Sequence, residues 1–212
     1  AERGLRRAIE LNPGSGYAYD LYARLCWAIE RYDEAIPLGR RAQELDPAAN
    51  RTDMTTMLLR AARYDEALAQ ARMAVEVEPG AARPRAAYGW ALYFTGRREE
   101  AVAELERAAE NSGRSTLWLG QLAQMYALIG ERERAREVVR EMEERSREAY
   151  VSPYHFAYAY TGLGEADRAL DLLERAVAER TGAAYSIKGS FLFRSLREHP
   201  RWRALMRTMN LA

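Results

Sequence analysis

The chain has 212 residues, of which 48% are hydrophobic and 30% charged, a balance that supports a packed core and excludes a disordered chain. With 32 basic residues against 31 acidic ones, no net field draws it to nucleic acid or to an anionic membrane surface. No apolar run approaches the ~20 residues that span a bilayer, and the single cysteine, Cys26, gives no internal disulfide, so a cytoplasmic setting is expected.

The chain opens on Ala1-Glu2-Arg3-Gly4, with neither an initiator methionine nor the apolar stretch of a signal peptide, and this reads as the cut edge of a longer protein. A short segment then recurs along it. YDEA (Tyr32 to Ala35), YDEA (Tyr64 to Ala67), REEA (Arg98 to Ala101), RERA (Arg132 to Ala135) and ADRA (Ala166 to Ala169) all end in alanine, first 32 and then 34 residues apart. Counting 34 back from Ala35 reaches Ala1, so residues 1–13 read as the second half of an earlier unit.

Other positions keep the same phase. Seven residues beyond the markers stand Ala8, Ala42, Ala74, Ala108, Met142 and Ala176, and twelve beyond them Pro13, Pro47, Pro79, Gly113, Arg147 and Thr181. Five before the last three markers stand Gly96, Gly130 and Gly164. These types predict a helical hairpin. The glycine ends one helix in a left-handed conformation, and acidic residues open the next where the helix dipole favours them. Small residues let the two helices approach, and proline stops the second. Ahead of each marker, a large residue beside a smaller one (Tyr22-Ala23, Met54-Thr55, Tyr88-Gly89, Leu122-Ala123, Phe156-Ala157) is followed a turn later by Cys26, Leu58, Leu92, Tyr126 or Tyr160. That is the buried stripe of a first helix.

A 34-residue helix-turn-helix unit with these small, aromatic and proline positions resembles the tetratricopeptide repeat (TPR). The resemblance implies an all-α fold, a right-handed α-α superhelix over residues 1–181. It comprises the orphan helix 1–13 and five pairs at 16–47, 48–79, 82–113, 116–147 and 150–181. The second pair is two residues short, with Thr55 at the small position, so its first helix is expected to start late. Residues 182–212 fall outside the repeat. Gly189 to Leu211 reads as a short helix, a break at Pro200 and a closing amphipathic helix with Trp202, Leu205, Met206 and Met209, an expected cap. This tail also resembles those of bacterial repeat regions that follow signalling domains.

In this family the first helices line a concave groove that binds peptides. The corresponding positions here lie eighteen, fifteen, eleven, eight and seven residues before each marker. They place Tyr17, Arg24 and Trp27 in the groove from the first pair, Ala49, Thr52 and Arg60 from the second, and Arg83, Trp90, Tyr93 and Phe94 from the third. Gly120 and Gln124 come from the fourth, and His155, Tyr158 and Gly162 from the fifth. Aromatics with arginine are the usual composition of binding hot spots. The expected partner is therefore a protein or peptide with apolar anchors and an acidic group. Two other readings stay open: the aromatics pack as core, or the C-terminal segment folds into the groove. The family's carboxylate clamp, which depends on lysine and asparagine in the groove, is missing, since Lys188 lies beyond the repeats and no groove position is asparagine.

Nothing in the sequence suggests catalysis. His155 and His199 lack metal-pair spacing, Cys26 sits on a buried stripe, and there is no phosphate loop or nucleophile elbow. The expectation is a non-enzymatic interaction scaffold without cofactor or metal. The alternative is a structural or regulatory spacer that self-associates as a homo-oligomer or docks onto an attached output domain.

Overall fold

A computed structural model describes residues 1–47 and 51–211, with side chains for all of these except 51–53. The groove position Ala49, the side chain of Thr52, the expected start of the second pair at residue 48 and the terminal Ala212 lie outside the described residues.

Among the described residues the structure is helical, without strands. Helix α1 (Glu2–Leu11) is followed by five hairpins: α2 (Gly16–Ala28) with α3 (Tyr32–Leu45), α4 (Arg51–Arg60) with α5 (Tyr64–Val77), α6 (Ala82–Phe94) with α7 (Arg98–Asn111), α8 (Thr116–Leu128) with α9 (Arg132–Glu148), and α10 (Pro153–Gly162) with α11 (Ala166–Ala178). Two short 3₁₀ segments, Ala184–Ser186 and Phe191–Leu196, precede α12 (Pro200–Thr208). The architecture is an all-α helical-repeat solenoid.

The same turn joins the helices of every hairpin. In the third, the N–H of Arg97 donates to the carbonyl of Leu92 at 2.9 Å and that of Gly96 to Tyr93 at 3.1 Å, the paired bonds that close a helix end on a left-handed residue. Gly96, Gly130 and Gly164 supply that residue with φ of 86°, 97° and 76°. In the first two hairpins the position falls to Glu30 and Ala62, at φ 66° and 58°. There the Cβ crowds the following carbonyl, a strain of about 1 kcal/mol.

The small residues act where the helices cross. The markers Ala35, Ala67, Ala101, Ala135 and Ala169 are fully buried, as are Ala23, Thr55, Ala123 and Ala157 on the facing helices. At Gly89 in the same register, a Cβ would lie 3.0 Å from the carbonyl oxygen of Ala101, so the side chain there is excluded by backbone. Consecutive hairpins stack so that first helices stand beside first helices, α4 by α6 and α8 by α10, forming the inner wall. Helix α10 begins sixteen residues before its marker, at Pro153, three later than α2, α6 and α8. The described part of α4 opens at Arg51, directly after residues outside the description, so the expected late start of the second pair lies outside it too.

Beyond α11 the chain does more than cap. Helix α12 covers the last hairpin: Trp202, Leu205 and Met206 are buried, and Arg201 reaches Asp171 at 2.6 Å and Glu174 at 2.8 Å on α11. Residues 183–197, expected as part of that cap, instead run back across the inner wall.

The turn geometry predicts opposite effects for two substitutions. Gly130→Ala should destabilise the chain by about 1 kcal/mol. Ala62→Gly should be neutral or stabilising by up to about 1 kcal/mol, strain relief outweighing the added unfolded-state entropy. Urea unfolding of both variants checks this.

Candidate functional site

The inner wall is built from the first helices of the hairpins, for the most part from their last turns. Trp27 ends α2, Arg60 ends α4, Trp90, Tyr93 and Phe94 end α6, and Gln124 lies in the last turn and a half of α8. Tyr154 and Tyr158 come from α10. The tail touches this wall along its length. Tyr185 sits 6.0 Å from Trp27, ring centre to ring centre. Phe191 meets Trp90 at 5.6 Å and Phe94 at 5.5 Å, both edge to face. Phe193 stacks on Tyr158 at 5.1 Å with the rings nearly parallel, and meets Tyr154 edge-on at 5.4 Å.

Polar contacts fix the register of the tail. Gln124 donates its amide to the carbonyl of Leu192 at 2.6 Å, and the hydroxyls of Tyr154 and Ser186 lie 3.0 Å apart. Arg194 donates to the hydroxyl of Tyr64 at 3.1 Å. Arg197 pairs with Glu30 at 2.6 Å, which ties the tail to the strained turn of the first hairpin. On either side of the tail a cavity remains. One, of about 400 Å³, is lined by Arg60, Arg83, Trp90, Trp118, Gln121, Tyr154, Tyr158, Tyr185 and Phe191 among others. The other, of about 170 Å³, lies among Tyr93, Phe94, Gln124, Leu128 and Arg194.

The expected groove residues therefore fall into three sets. Trp27, Arg60, Trp90, Phe94, Gln124 and Tyr158 meet the tail or the cavity beside it, and Trp90, at 3% exposure, also donates its indole N–H to Gln121 at 2.8 Å. Tyr93 and Arg83 are more open, each lining one of the cavities. Tyr17, Arg24 and His155 stand apart. Tyr17 is 72% exposed, and Arg24 donates to the buried Asp20 at 2.8 Å. The ring Nδ1 of His155 lies 3.0 Å from the hydroxyl of Thr116, and burial lowers its pKa to about 4, so the imidazole is neutral at pH 7.

Two further groove positions belong to helix packing. A methyl group on Gly120 would collide with the carbonyl oxygen of His155, and one on Gly162 would lie 2.7 Å from the Cα of Gln124. These glycines bring α8 and α10 into backbone contact. Sequence reasoning missed Trp118, Gln121, Tyr154, Tyr185, Ser186 and Phe191 as site residues. Tyr154 lay one residue before His155, and Gln121 one beyond a groove position, so periodicity pointed past them.

Trp90 separates an open groove from a filled one. In an open groove Trp90→Ala leaves the melting temperature almost unchanged. Here it removes a buried indole packed on Phe191 and strips Gln121 of its donor, so it should cost about 3 kcal/mol or more in chemical denaturation.

No family model matches the sequence, and no curated protein matches it. Solved structures do. One is "MamA 41-end" from Desulfovibrio magneticus RS-1, with a TM-score of 0.59 at 16% identity, covering 70% of this chain and 85% of that one. YrrB, described as a TPR protein with an unusual peptide-binding site, has a TM-score of 0.54 at 19% identity, covering 89% of this chain and 98% of its own. Yeast Tom70 also has a TM-score of 0.54, at 16% identity, where this chain spans 97% of itself but only 45% of the larger protein. Helices, hairpin turns and neighbours agree on the fold: this chain is a TPR-like helical-repeat solenoid.

Proposed function

We propose that the chain is a binding scaffold whose inner wall receives an extended peptide with apolar anchors and an acidic group, in competition with its own tail. One observation carries this reading. The segment Phe191-Leu192-Phe193 lies on the wall as a bound peptide would, its aromatic rings against Trp90, Phe94, Tyr154 and Tyr158 and its backbone carbonyl held by Gln124. Arg60 and Arg83 on the same wall supply positive charge for the acidic group. YrrB, of the same fold, is described as having a peptide-binding site, which supports a peptide as the kind of ligand.

The proposal is binding and not chemistry. His155 is neutral, bonded to a threonine hydroxyl and, among the described residues, paired with no carboxylate that would make it a base. Among the described residues no cluster of three His, Cys, Asp or Glu side chains is arranged to hold a metal ion, and no helix is long and apolar enough to cross a membrane. A cytoplasmic setting remains part of the proposal, resting on the lone buried thiol of Cys26.

A second reading is favoured by the same tail: the filled groove makes a closed spacer that presents only its outer faces, with exposed Leu11, Tyr17 and Tyr150 open to a second copy or an attached domain. Light scattering across a dilution series identifies self-association by a falling mass. For the peptide reading, the probe is a set of peptides selected from a random display library on the Phe191→Ala/Phe193→Ala variant. These should bind that variant about tenfold or more tighter than the unaltered chain, because the tail no longer competes. Equal affinity for both would place the peptides off the wall and overturn the reading.

A further inference from the structure

Arg60 stands out among the arginines. Arg194 and Arg132 also lack a carboxylate but donate to the Tyr64 hydroxyl and the Leu163 carbonyl, whereas two guanidinium nitrogens of Arg60 are enclosed with no partner among the described residues. Its guanidinium carbon lies 4.2 Å from the centre of the Trp27 ring, a cation-π contact that offers no hydrogen-bond acceptor. Its Nε and Nη1 are enclosed and unpartnered, Nη1 lying against the tail at Gly189. Burial moves its pKa below the ordinary arginine value, partly opposed by the phenols of Tyr154, Tyr32, Tyr158 and Tyr185. A guanidinium does not shed its proton in a protein, so this charge persists and calls for an anion.

Arg60 also lines the cavity of about 400 Å³, within the size range of small-molecule sites. Aromatic rings, among them Trp90, Trp118, Tyr154 and Tyr185, share the rest of that lining with aliphatic side chains, Gln121 and Ser186 add polar groups, and Arg83 adds a second positive charge. Such a surface suits a flat apolar ring bearing one negative group.

We propose that this cavity is a binding site for a small aromatic carboxylate, its carboxylate paired with Arg60 and its ring held among the tryptophans and tyrosines. A peptide would have to displace the tail, whereas a small anion needs only the part of the Arg60 guanidinium that lines the cavity. Because Tyr185, Ser186 and Phe191 form one wall of the cavity, the bound anion pins the tail to the groove. The site goes beyond peptide binding and does not require that any peptide ever displace the tail.

The test is calorimetric titration of the full chain with benzoate, phenylacetate and indole-3-acetate, with indole-3-acetamide and inorganic phosphate as controls. At least one carboxylate should bind at one equivalent, with indole-3-acetate about tenfold or more tighter than its neutral amide and tighter than phosphate. Arg60→Met should lose that binding about tenfold or more while melting no lower than the unaltered chain, since it removes an unpaired charge. The amide comparison uses the unaltered chain, so it decides the matter even where the variant folds poorly. Failure of all three carboxylates to bind below ~10 mM, equal affinity for the amide, or equal affinity for phosphate each overturns the proposal.

Discussion

Everything in this molecule depends on covering the inner wall of the solenoid. A helical hairpin buries one face against its partner and another against the next hairpin, which leaves the inward faces of the first helices without a neighbour. On this chain those faces carry Trp27, Trp90, Phe94, Tyr154 and Tyr158, a contiguous apolar surface that favours cover over contact with water. The tail answers that demand. Phe193 is fully buried and Trp90 nearly so, and the core that holds Trp90, Tyr154 and Tyr158 also takes in Leu192, Phe193 and Leu196 of the tail. A segment outside the repeat thus completes the core of the repeat.

The hairpin turns connect this requirement to local backbone chemistry. The last three use glycine at the left-handed position, where it is unstrained. The first uses Glu30, and its carboxylate is what holds Arg197 of the tail. Glycine there would relax the backbone and free the tail's far anchor. The turn at Glu30 thus also places a charge where the tail crosses the first hairpin, a role the equally left-handed Ala62 does not have.

The fold class was legible because the rules that set it are local. Left-handed turns select Gly96, Gly130 and Gly164, and helix crossings select the marker alanines; both recur at a fixed spacing that a single sequence displays. The path of the tail follows no such rule. Arg197 and Glu30 are 167 residues apart, and neither belongs to a repeating position that names the other. The sequence offered three fates for the wall aromatics (binding, packing or cover by the tail), and choosing among them needed the coordinates. Trp90 and Phe94 come together as their helical spacing requires, while Tyr17 at the far end of α2 faces solvent. Gly120 and Gly162 occupy groove register yet serve the contact between α8 and α10, a use that only the proximity of His155 and Gln124 discloses.

The most direct measurement is backbone hydrogen exchange across residues 184–197 in the full chain. The amides of Ile187 and Ser190, bonded to the carbonyls of Ala184 and Ile187, and that of Leu192, bonded to the side-chain oxygen of Ser190, should exchange slowly, because opening them means lifting Phe191 and Phe193 off the wall. Protection comparable to that of α10 is the result this account requires. Exchange at the rate of an unstructured terminus would mean that the wall stands open, and it would contradict the account at its centre.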